Sequence, residues 1–310
     1  MAASGGTKAI LAALFANAGI AIAKFVAFVF TGASSMLAEA IHSVADASNQ
    51  ALLLLGGRLA RREATPEHSF GYGRERYFWS FVVALVLFTL GSLFAIYEGI
   101  KKIRHPHEID SAIWAFSVLI LGIILESFSM RTAVVESNRV RGKSSWIRFV
   151  RHSRTPELPV VLLEDLGALV GLILALAALM VAEIFEMPVW DGIGTLSIGV
   201  LLGLIAVVLA VEMRSLLLGE SAKASVVKKI CEAIESTDGV QHLIHLRTQH
   251  IGPEELLVAA KVHFDPNYTM TETAEAIDRI EANTRAAVPI ARPMYIEPDI
   301  RKEPDIRKEQ

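Results

Sequence analysis

Long apolar blocks follow one another along the chain between residues 7 and 213. Crossing the hydrocarbon core of a bilayer takes about 20 mostly apolar residues in a helix. Isolated strands and loops cannot satisfy their backbone hydrogen bonds in lipid. The pattern therefore predicts six membrane helices, at 7–30, 34–59, 77–100, 112–135, 158–184 and 189–213.

The composition agrees with a membrane protein and excludes several other classes. Hydrophobic residues make up 53% of the 310 residues, and charged residues make up only 20%. The single cysteine, Cys231, excludes an intrachain disulfide framework and a cysteine-rich zinc site. The apolar blocks indicate a lipid bilayer as the partner. A net charge of −3 gives no indication of nucleic acid, so we expect no nucleic-acid partner.

Basic residues between the apolar blocks predict the orientation of the helices. The second and fourth connections are rich in arginine and lysine, whereas the first has none and the fifth holds only acidic charges. The third connection is an exception, with Lys101, Lys102 and Arg104. Because positive connections stay in the cytoplasm, the pattern places both termini there.

The character of the chain changes after the sixth block. A helix at 224–235, strands at 242–250 and 256–264, a helix at 271–287 and a strand at 292–297 are predicted from periodicity and turn residues. This order predicts a compact α+β domain. We therefore divide the chain into a membrane domain (1–215), a soluble domain (216–297) and a disordered tail (298–310) that repeats Glu-Pro-Asp-Ile-Arg-Lys.

The second apolar block carries a stripe of polar side chains. At 100° per residue, Glu39, His42, Asp46 and Asn49 fall within an arc of about 80°. An aspartate at the bilayer centre costs about 2.5–3.5 kcal/mol, so the stripe should face a cavity or another helix. A histidine and a carboxylate four residues apart suit zinc or a neighbouring divalent metal, although they could simply bond each other.

The fifth block is interrupted by two adjacent acids, Glu164 and Asp165. Because they point 100° apart, one can bind a metal while the other meets a proton path, a neighbouring helix or the edge of the metal site. Other polar residues, Asn17, Lys24 and Glu126, are at least as well explained by contacts between helices.

Three motifs in this sequence resemble the cation diffusion facilitator family. They are Thr31-Gly32-x-Ser34 leading into Leu37-Ala-Glu-Ala-Ile-His42-Ser-x-x-Asp46, His68-Ser-Phe-Gly71-Tyr-Gly73-Arg-Glu75, and Leu246-Arg247-Thr248-x-x-x-Gly252-Pro253. The resemblance implies a six-helix membrane bundle with a cytoplasmic ferredoxin-like domain. It also implies a homodimer that exports metal from the cytoplasm in exchange for protons. We expect this protein in the cell inner membrane.

The resemblance also implies a transport site. Its ligands would be His42, Asp46 and Asp165, but the histidine that the family usually has four residues before the last aspartate is Val161 here. The subgroup with an adjacent Glu-Asp pair, which includes mitochondrial zinc-transporter-like members, is the most similar. Glu164, Asn49 or a water would then complete the metal sphere. Three protein ligands and one exchangeable position suit a zinc ion that must leave.

Two further metal sites of the family are incomplete in this chain. The connection between the second and third helices offers only Thr65, His68 and Tyr72. The soluble domain has histidines that do not coincide with the family's metal positions, namely His242, His245, His250 and His263.

Alternative functions remain open from the sequence. The transported ion could be Mn²⁺, Fe²⁺ or Co²⁺ instead of Zn²⁺, since a carboxylate-rich site favours harder ions. The chain could also be a regulatory relative that no longer transports, because Val161 replaces a ligand. An intramembrane metal hydrolase would need His-Glu-x-x-His, which is absent from the sequence, so we do not expect an enzyme.

Overall fold

The computed structural model describes residues 2–31, 34–106 and 112–300. The side chains of residues 2–9, 16, 27, 28, 30, 31, 34–42, 45, 112 and 114 lie outside this description. Two compact units are present. The membrane unit contains Met1–Arg62 and Glu75–Leu217, and the C-terminal unit contains Glu63–Arg74 and Leu218–Gln310.

The membrane unit consists of helices. They are α1 (Ala2–Thr31), α2 (Ser34–Leu59), α3 (Glu75–Val86), α4 (Phe94–Arg104), α5 (Ala112–Arg141), α6 (Trp146–His152), α7 (Glu157–Ile184) and α8 (Val189–Leu218). A π-helical segment, Leu87–Leu93, joins α3 to α4, so that Glu75–Arg104 runs as one helix.

Four of these helices are long and apolar enough to cross a bilayer, by length and composition. Within the described part of the chain they are Glu75–Arg104, Ala115–Arg141, Glu157–Ile184 and Val189–Leu218. Helix α1 contributes a shorter apolar stretch, Ile10–Val26, and α2 carries the polar stripe. The prediction of a helical membrane region is confirmed, while the count of six spans stays a prediction.

The two acids of α7 lie where several helices meet. Helix α1 contacts α2, α5 and α7, while α5 contacts α7 and α3 contacts α2 and α7. Leu53, Val83, Leu158 and Leu209 are among the fully buried residues of the shared apolar core. Of the polar stripe of α2, the described side chains are those of Asn49, which is buried, and Asp46, which is partly buried.

Helices α4 and α8 approach so closely that glycine is required at their crossing. A Cβ on Gly99 would lie 2.6 Å from the backbone nitrogen of Leu196, and a Cβ on Gly199 would lie 2.7 Å from that of Ile96. In the adjoining π-helical segment, buried Ser92 donates to the carbonyl of Gly199 at 2.8 Å. Small residues at such crossings allow backbone contact between membrane helices.

The C-terminal unit is an α+β structure. Its elements are α9 (Ala224–Glu235), β1 (Val240–Gly252), β2 (Glu255–Phe264), α10 (Met270–Ala287) and β3 (Ala291–Pro298). The sheet has the order β1-β2-β3, with β1 and β2 antiparallel and β2 and β3 parallel. The predicted order of helices and strands in this part of the chain is confirmed.

The folding of this unit follows from its sequence pattern. Alternate residues of β2, from Leu256 to Phe264, are buried, which gives the strand one face for the core. Ile230 and Ile234 of α9 and Ile280 of α10 cover that face and are fully buried. Thr269 and Glu272 form a capping box at the start of α10.

The ordered chain continues beyond the residue at which the sequence analysis ended the domain. Pro298 pairs with Val262, and the backbone nitrogen of Asp299 donates to the Val262 carbonyl at 2.9 Å. The Asp299 carboxylate also lies 3.3 Å from Lys261 Nζ. The predicted tail therefore begins with two residues that bond to the sheet, and its residues from 301 onward lie outside the described residues.

Residues 63–74, which connect α2 to α3, pack within the C-terminal unit. Gly71 has a φ of 75°, a left-handed conformation that favours glycine. A Cβ on Gly73 would lie 2.9 Å from the carbonyl oxygen of Ile251 and 3.0 Å from Cα of Gly252. Two of the motifs noted in the sequence thus meet at the turn between β1 and β2.

Candidate metal site in the helical bundle

A carboxylate on α7 joins that helix to α2. Asn49 Nδ2 donates to Glu164 Oε1 at 2.8 Å, and Gln50 Nε2 donates to Glu164 Oε2 at 2.9 Å. All three side chains are buried, with Asn49 2%, Gln50 0% and Glu164 6% exposed. We call this group the amide clamp.

Helix α1 extends the polar network. Asn17 Nδ2 lies 3.4 Å from Gln50 Oε1, so the clamp continues into α1. Elsewhere on α1, Lys24 Nζ donates to Ser43 Oγ of α2 at 3.1 Å. Asn17 and Lys24 therefore form contacts between helices, which is one of the two roles expected for them from the sequence.

The second acid of α7 faces a different helix. Asp165 is 2% exposed, and its Oδ2 accepts a hydrogen bond of 2.8 Å from Ser129 Oγ on α5. The 100° between neighbouring positions of a helix explains why Glu164 is directed to α2 while Asp165 is directed to α5. The two adjacent acids thus have separate surroundings.

Carboxylates from three helices are close enough to repel one another. Glu126 on α5, itself 5% exposed, interacts electrostatically with Asp165, Asp46 and Lys24. Glu164 likewise interacts with Asp46, Asp165 and Glu126. Lys24 interacts with Glu126 among these four acids, so together they carry an excess of negative charge in surroundings where burying unpaired charge is costly. A cation or protons would relieve that repulsion.

One buried oxygen in this cluster has no hydrogen-bond donor. Asn49 uses its nitrogen in the clamp, but its Oδ1 is buried and has no partner among the described residues. Leaving such an acceptor unsatisfied costs about 1–3 kcal/mol. Amide oxygens are also metal ligands, so an unsatisfied Asn49 Oδ1 beside acids suits a cation.

The other two predicted ligands, His42 and Asp46, both belong to α2. His42 lies in α2 one helical turn before Asp46, but its side chain is outside the described residues. Asp46 is partly buried. The described side chains contain no group of three or more His, Cys, Asp and Glu residues arranged to hold a metal. To complete the coordination sphere of a metal, the ligands described here would therefore need His42, a water molecule or a change in helix packing.

Val161, at the position of the missing histidine, belongs to the apolar core. It is fully buried, as are its neighbours Val160 and Leu158. The valine therefore supplies no metal ligand at this position.

Two residues that bond to the acids of α7, Gln50 and Ser129, were not among the site residues predicted from the sequence. Gln50 follows Asn49 directly and lies 100° from it on α2, which places it at the margin of the polar stripe. Ser129 follows Glu126 by one helical turn on α5. Each residue lies one helical turn from an acid, Gln50 from Asp46 and Ser129 from Glu126, and this spacing is the signal that the sequence offered.

The two incomplete sites from the sequence analysis show contacts within the protein. His68 stacks on Tyr72 with ring centroids 4.6 Å apart, and Thr65 Oγ1 lies 3.3 Å from the Tyr72 hydroxyl. His242 and His263 are cross-strand neighbours with ring centroids 6.3 Å apart. The histidine rings thus pack against other rings within the C-terminal unit.

Comparison with known proteins finds two matching family models and several similar proteins. The model of the cation efflux transmembrane domain matches residues 10–218, and that of the cation efflux protein cytoplasmic domain matches residues 222–299. A solved C-terminal domain of the protein MamM, in its nickel form, is 22% identical and covers 26% of this chain and 100% of that chain, with a TM-score of 0.25.

Several curated relatives are similar over most of this chain. The human proton-coupled zinc antiporter SLC30A9, mitochondrial, is 32% identical over 263 residues, which are 84% of this chain and 46% of that protein. Metal tolerance protein C4 of Arabidopsis thaliana is 28% identical over 260 residues, covering 83% of this chain and 57% of its own. The magnetosome protein MamB of Magnetospira sp. is 22% identical over 284 residues, 92% of each chain.

The chain spans about half the length of the first of these relatives. The family models, in contrast, match it from residue 10 to residue 218 and from residue 222 to residue 299. The resemblance noted in the sequence is confirmed, and the chain belongs to the cation efflux family, the cation diffusion facilitators.

Proposed function

We propose that this chain exports a divalent transition metal, with zinc as the main substrate, in exchange for protons. The observation that supports this most is the convergence of three buried acids of α5 and α7 with the partly buried Asp46 of α2 inside the membrane unit. Asp46, Glu126, Glu164 and Asp165 interact electrostatically there. Few roles other than the passage of a cation explain four acids inside an apolar bundle.

Proposed ligands for the metal are His42, Asp46 and Asp165. Glu164 or Asn49 would complete the sphere, since Asn49 Oδ1 has no donor and Glu164 adjoins it in the amide clamp. A carboxylate oxygen has two lone pairs, so Glu164 could keep its amide donors while it binds a metal. An incomplete sphere of protein ligands suits an ion that must be released.

Exchange with protons follows from the chemistry of these ligands. Metal and protons compete for the same imidazole nitrogen and carboxylate oxygens, so binding of one releases the other. If the bundle opens alternately to the two sides, metal enters from the cytoplasm and protons displace it on the far side. The result is antiport without an enzymatic reaction.

Orientation, location and assembly belong to the same proposal. The positive connections support a cytoplasmic position for both termini and thus for the C-terminal unit. We propose a homodimer in the cell inner membrane. The name of the human relative specifies proton-coupled zinc antiport, which supports zinc as the substrate.

Manganese, iron or cobalt is a second candidate substrate, favoured by a specific observation. The described polar groups around α7 offer oxygen atoms, and Val161 replaces a nitrogen ligand with an apolar side chain. Oxygen-rich sites suit harder ions than zinc.

The test is metal flux in proteoliposomes that contain the purified full chain. An imposed pH gradient should drive uptake of Zn²⁺, and the flux should reverse when the gradient is reversed. Mn²⁺, Fe²⁺ and Co²⁺ are measured separately, with protein-free liposomes as the control. A flux of Mn²⁺, Fe²⁺ or Co²⁺ above that of Zn²⁺ would favour the second candidate substrate. If no metal is transported, the remaining interpretation is a regulatory protein that no longer transports.

A further inference from the structure

The connection between α5 and α7 is strongly basic. Between residues 139 and 154 it carries six arginines and lysines and no acid: Arg139, Arg141, Lys143, Arg148, Arg151 and Arg154. Helix α5 ends at Arg141 and α7 begins at Glu157, and both are long and apolar enough to span a membrane. The stretch is therefore held within a few residues of the bilayer surface at both ends.

The short helix in this connection, α6, has two different faces. At 100° per residue, Phe149, Trp146, Val150 and Ile147 occupy an arc of about 160°. The basic residues Arg148, Arg151 and His152 occupy the remaining side. Basic amphipathic helices of this kind lie in the plane of a membrane interface.

The apolar side of α6 is anchored at one residue and free at another. Phe149 is 5% exposed and belongs to the apolar core of the membrane unit. The Trp146 ring meets Phe149 edge to face at 6.3 Å, and the Arg141 guanidinium lies 4.2 Å from the centroid of Trp146. Ile147, by contrast, is 75% exposed. The helix is thus fixed to the bundle with an isoleucine projecting outward.

Only part of the positive charge is balanced by nearby acids. Arg139 pairs with Glu136 at 2.6 Å, and Arg151 lies 3.5 Å from Glu212. Lys143 and Arg148 are exposed, and within the described residues no hydrogen bond or ion pair is found for their side chains. These two charges remain available for an external anion.

We propose that this basic connection binds the headgroups of anionic phospholipids in the leaflet beside the ends of α5 and α7. Lys143 and Arg148 contact the headgroup phosphates, and Ile147 and Trp146 enter the interface next to them. Clusters of four to eight basic residues beside a membrane helix bind anionic lipid, with each contributing about a five-fold gain in affinity. The lipid would hold α6, and with it the starting end of α7, against the membrane.

Retention of defined lipids by the purified full chain tests the proposal. The protein is delipidated in detergent and titrated with phosphatidylglycerol or phosphatidylcholine, and bound lipids are counted by native mass spectrometry. Phosphatidylglycerol should bind more tightly. The double variant Lys143→Gln/Arg148→Gln should lower its affinity by about 25-fold if the two contributions add.

A matched control removes two charges elsewhere. Lys228→Gln/Arg279→Gln changes the net charge equally on exposed helices of the C-terminal unit, and it should leave lipid binding unchanged. Equal loss of phosphatidylglycerol in both double variants would overturn the proposal. So would full displacement of the lipid by millimolar inorganic phosphate, which would indicate a site for free anions.

Insertion of α6 is tested separately with a spin label. In a Cys231→Ser background, Ile147→Cys gives a unique labelling position in the chain reconstituted in phosphatidylglycerol-containing nanodiscs. Oxygen should relax the label more effectively than a water-soluble nickel reagent. Leu204→Cys on α8 and Ser236→Cys after α9 serve as the lipid and aqueous references. A label at 147 with the aqueous accessibility of that at 236 contradicts the proposal.

Discussion

Asn49 and Glu164 stand 115 positions apart in sequence, yet Asn49 Nδ2 donates to Glu164 Oε1 at 2.8 Å. The bond joins α2 to α7 at the point where the polar stripe meets the paired acids. The attachment between the two helices and the proposed metal ligands therefore share atoms. If Glu164 binds a metal or a proton as proposed, that binding would act directly on the contact between these helices.

His42→Ala and Asp46→Ala should each reduce zinc flux in proteoliposomes to the level of empty liposomes. Each change removes one of the three proposed principal ligands. Ser48→Ala on the exposed side of α2 is the control and should transport normally. Both variants should remain folded dimers by size-exclusion chromatography. Normal flux in either would move the site elsewhere.

Glu164→Gln should weaken zinc binding about tenfold or more and lower the thermal stability of the membrane unit. A glutamine keeps one acceptor oxygen but presents an NH₂ group to one of the amide donors, and a hydrogen bond to a charged partner is worth about 1.5–3 kcal/mol. Isothermal titration with Zn²⁺ and thermal unfolding measure the two effects. Glu183→Gln, at an exposed position near the end of α7, is the control.

The same variant distinguishes two roles for Glu164. If it carries a proton without binding metal, Glu164→Gln should preserve zinc affinity and flatten the dependence of flux on pH. Unchanged binding together with an unchanged pH response would exclude both roles. The site would then have to be sought among Asn17, Glu126 and the polar stripe.

Val161→His should tighten zinc binding and raise the preference for zinc over manganese. It restores a histidine four residues before Asp165, and imidazole suits zinc better than manganese. Val160→His is a matched control, because that valine is equally buried but points 100° away. Titration of both variants with Zn²⁺ and Mn²⁺ is the measurement. Equal behaviour of the two variants would count against a metal near position 161.

Gly73→Ala should destabilise the C-terminal unit by about 1–3 kcal/mol, since the new Cβ would meet backbone atoms of the β1–β2 turn. Limited trypsin digestion should then cut more readily at Arg74. Gly57→Ala, in α2, places its Cβ in open space and should be neutral or slightly stabilising. Equal digestion of both variants would show that the close approach at Gly73 is not required.

Truncation after Ile300 should leave zinc flux and stability unchanged, because the removed segment has no apolar face. Truncation after Glu297 should lower the melting temperature, because it also removes the Asp299 contacts with Val262 and Lys261. The two truncated chains control for each other in a thermal unfolding experiment. A large loss of zinc flux after truncation at Ile300 would show that residues 301–310 have a function.

Helices and strands were largely predictable because their signals are local. Predicted segments 34–59 and 224–235 coincide with α2 and α9, and the predicted helix at 271–287 starts one residue after α10 does. Apolar length, periodicity and capping residues act within a few turns of chain, so they can be read without knowing the neighbours. The π-helical segment Leu87–Leu93 was not predicted, because the apolar pattern continues through it unchanged. Within this segment Ser92 bonds to Gly199 of α8.

The sequence by itself determined that His42, Asp46 and Asn49 share a side of one helix and that Glu164 and Asp165 point apart. Both follow from helical geometry alone. Only the tertiary structure decided which helix each acid meets: Glu164 bonds to Asn49 and Gln50, and Asp165 bonds to Ser129. The rotation and pairing of helices arise from packing along their whole length, which no local pattern records. For the same reason the meeting of Gly73 with Gly252 appears only in the folded chain.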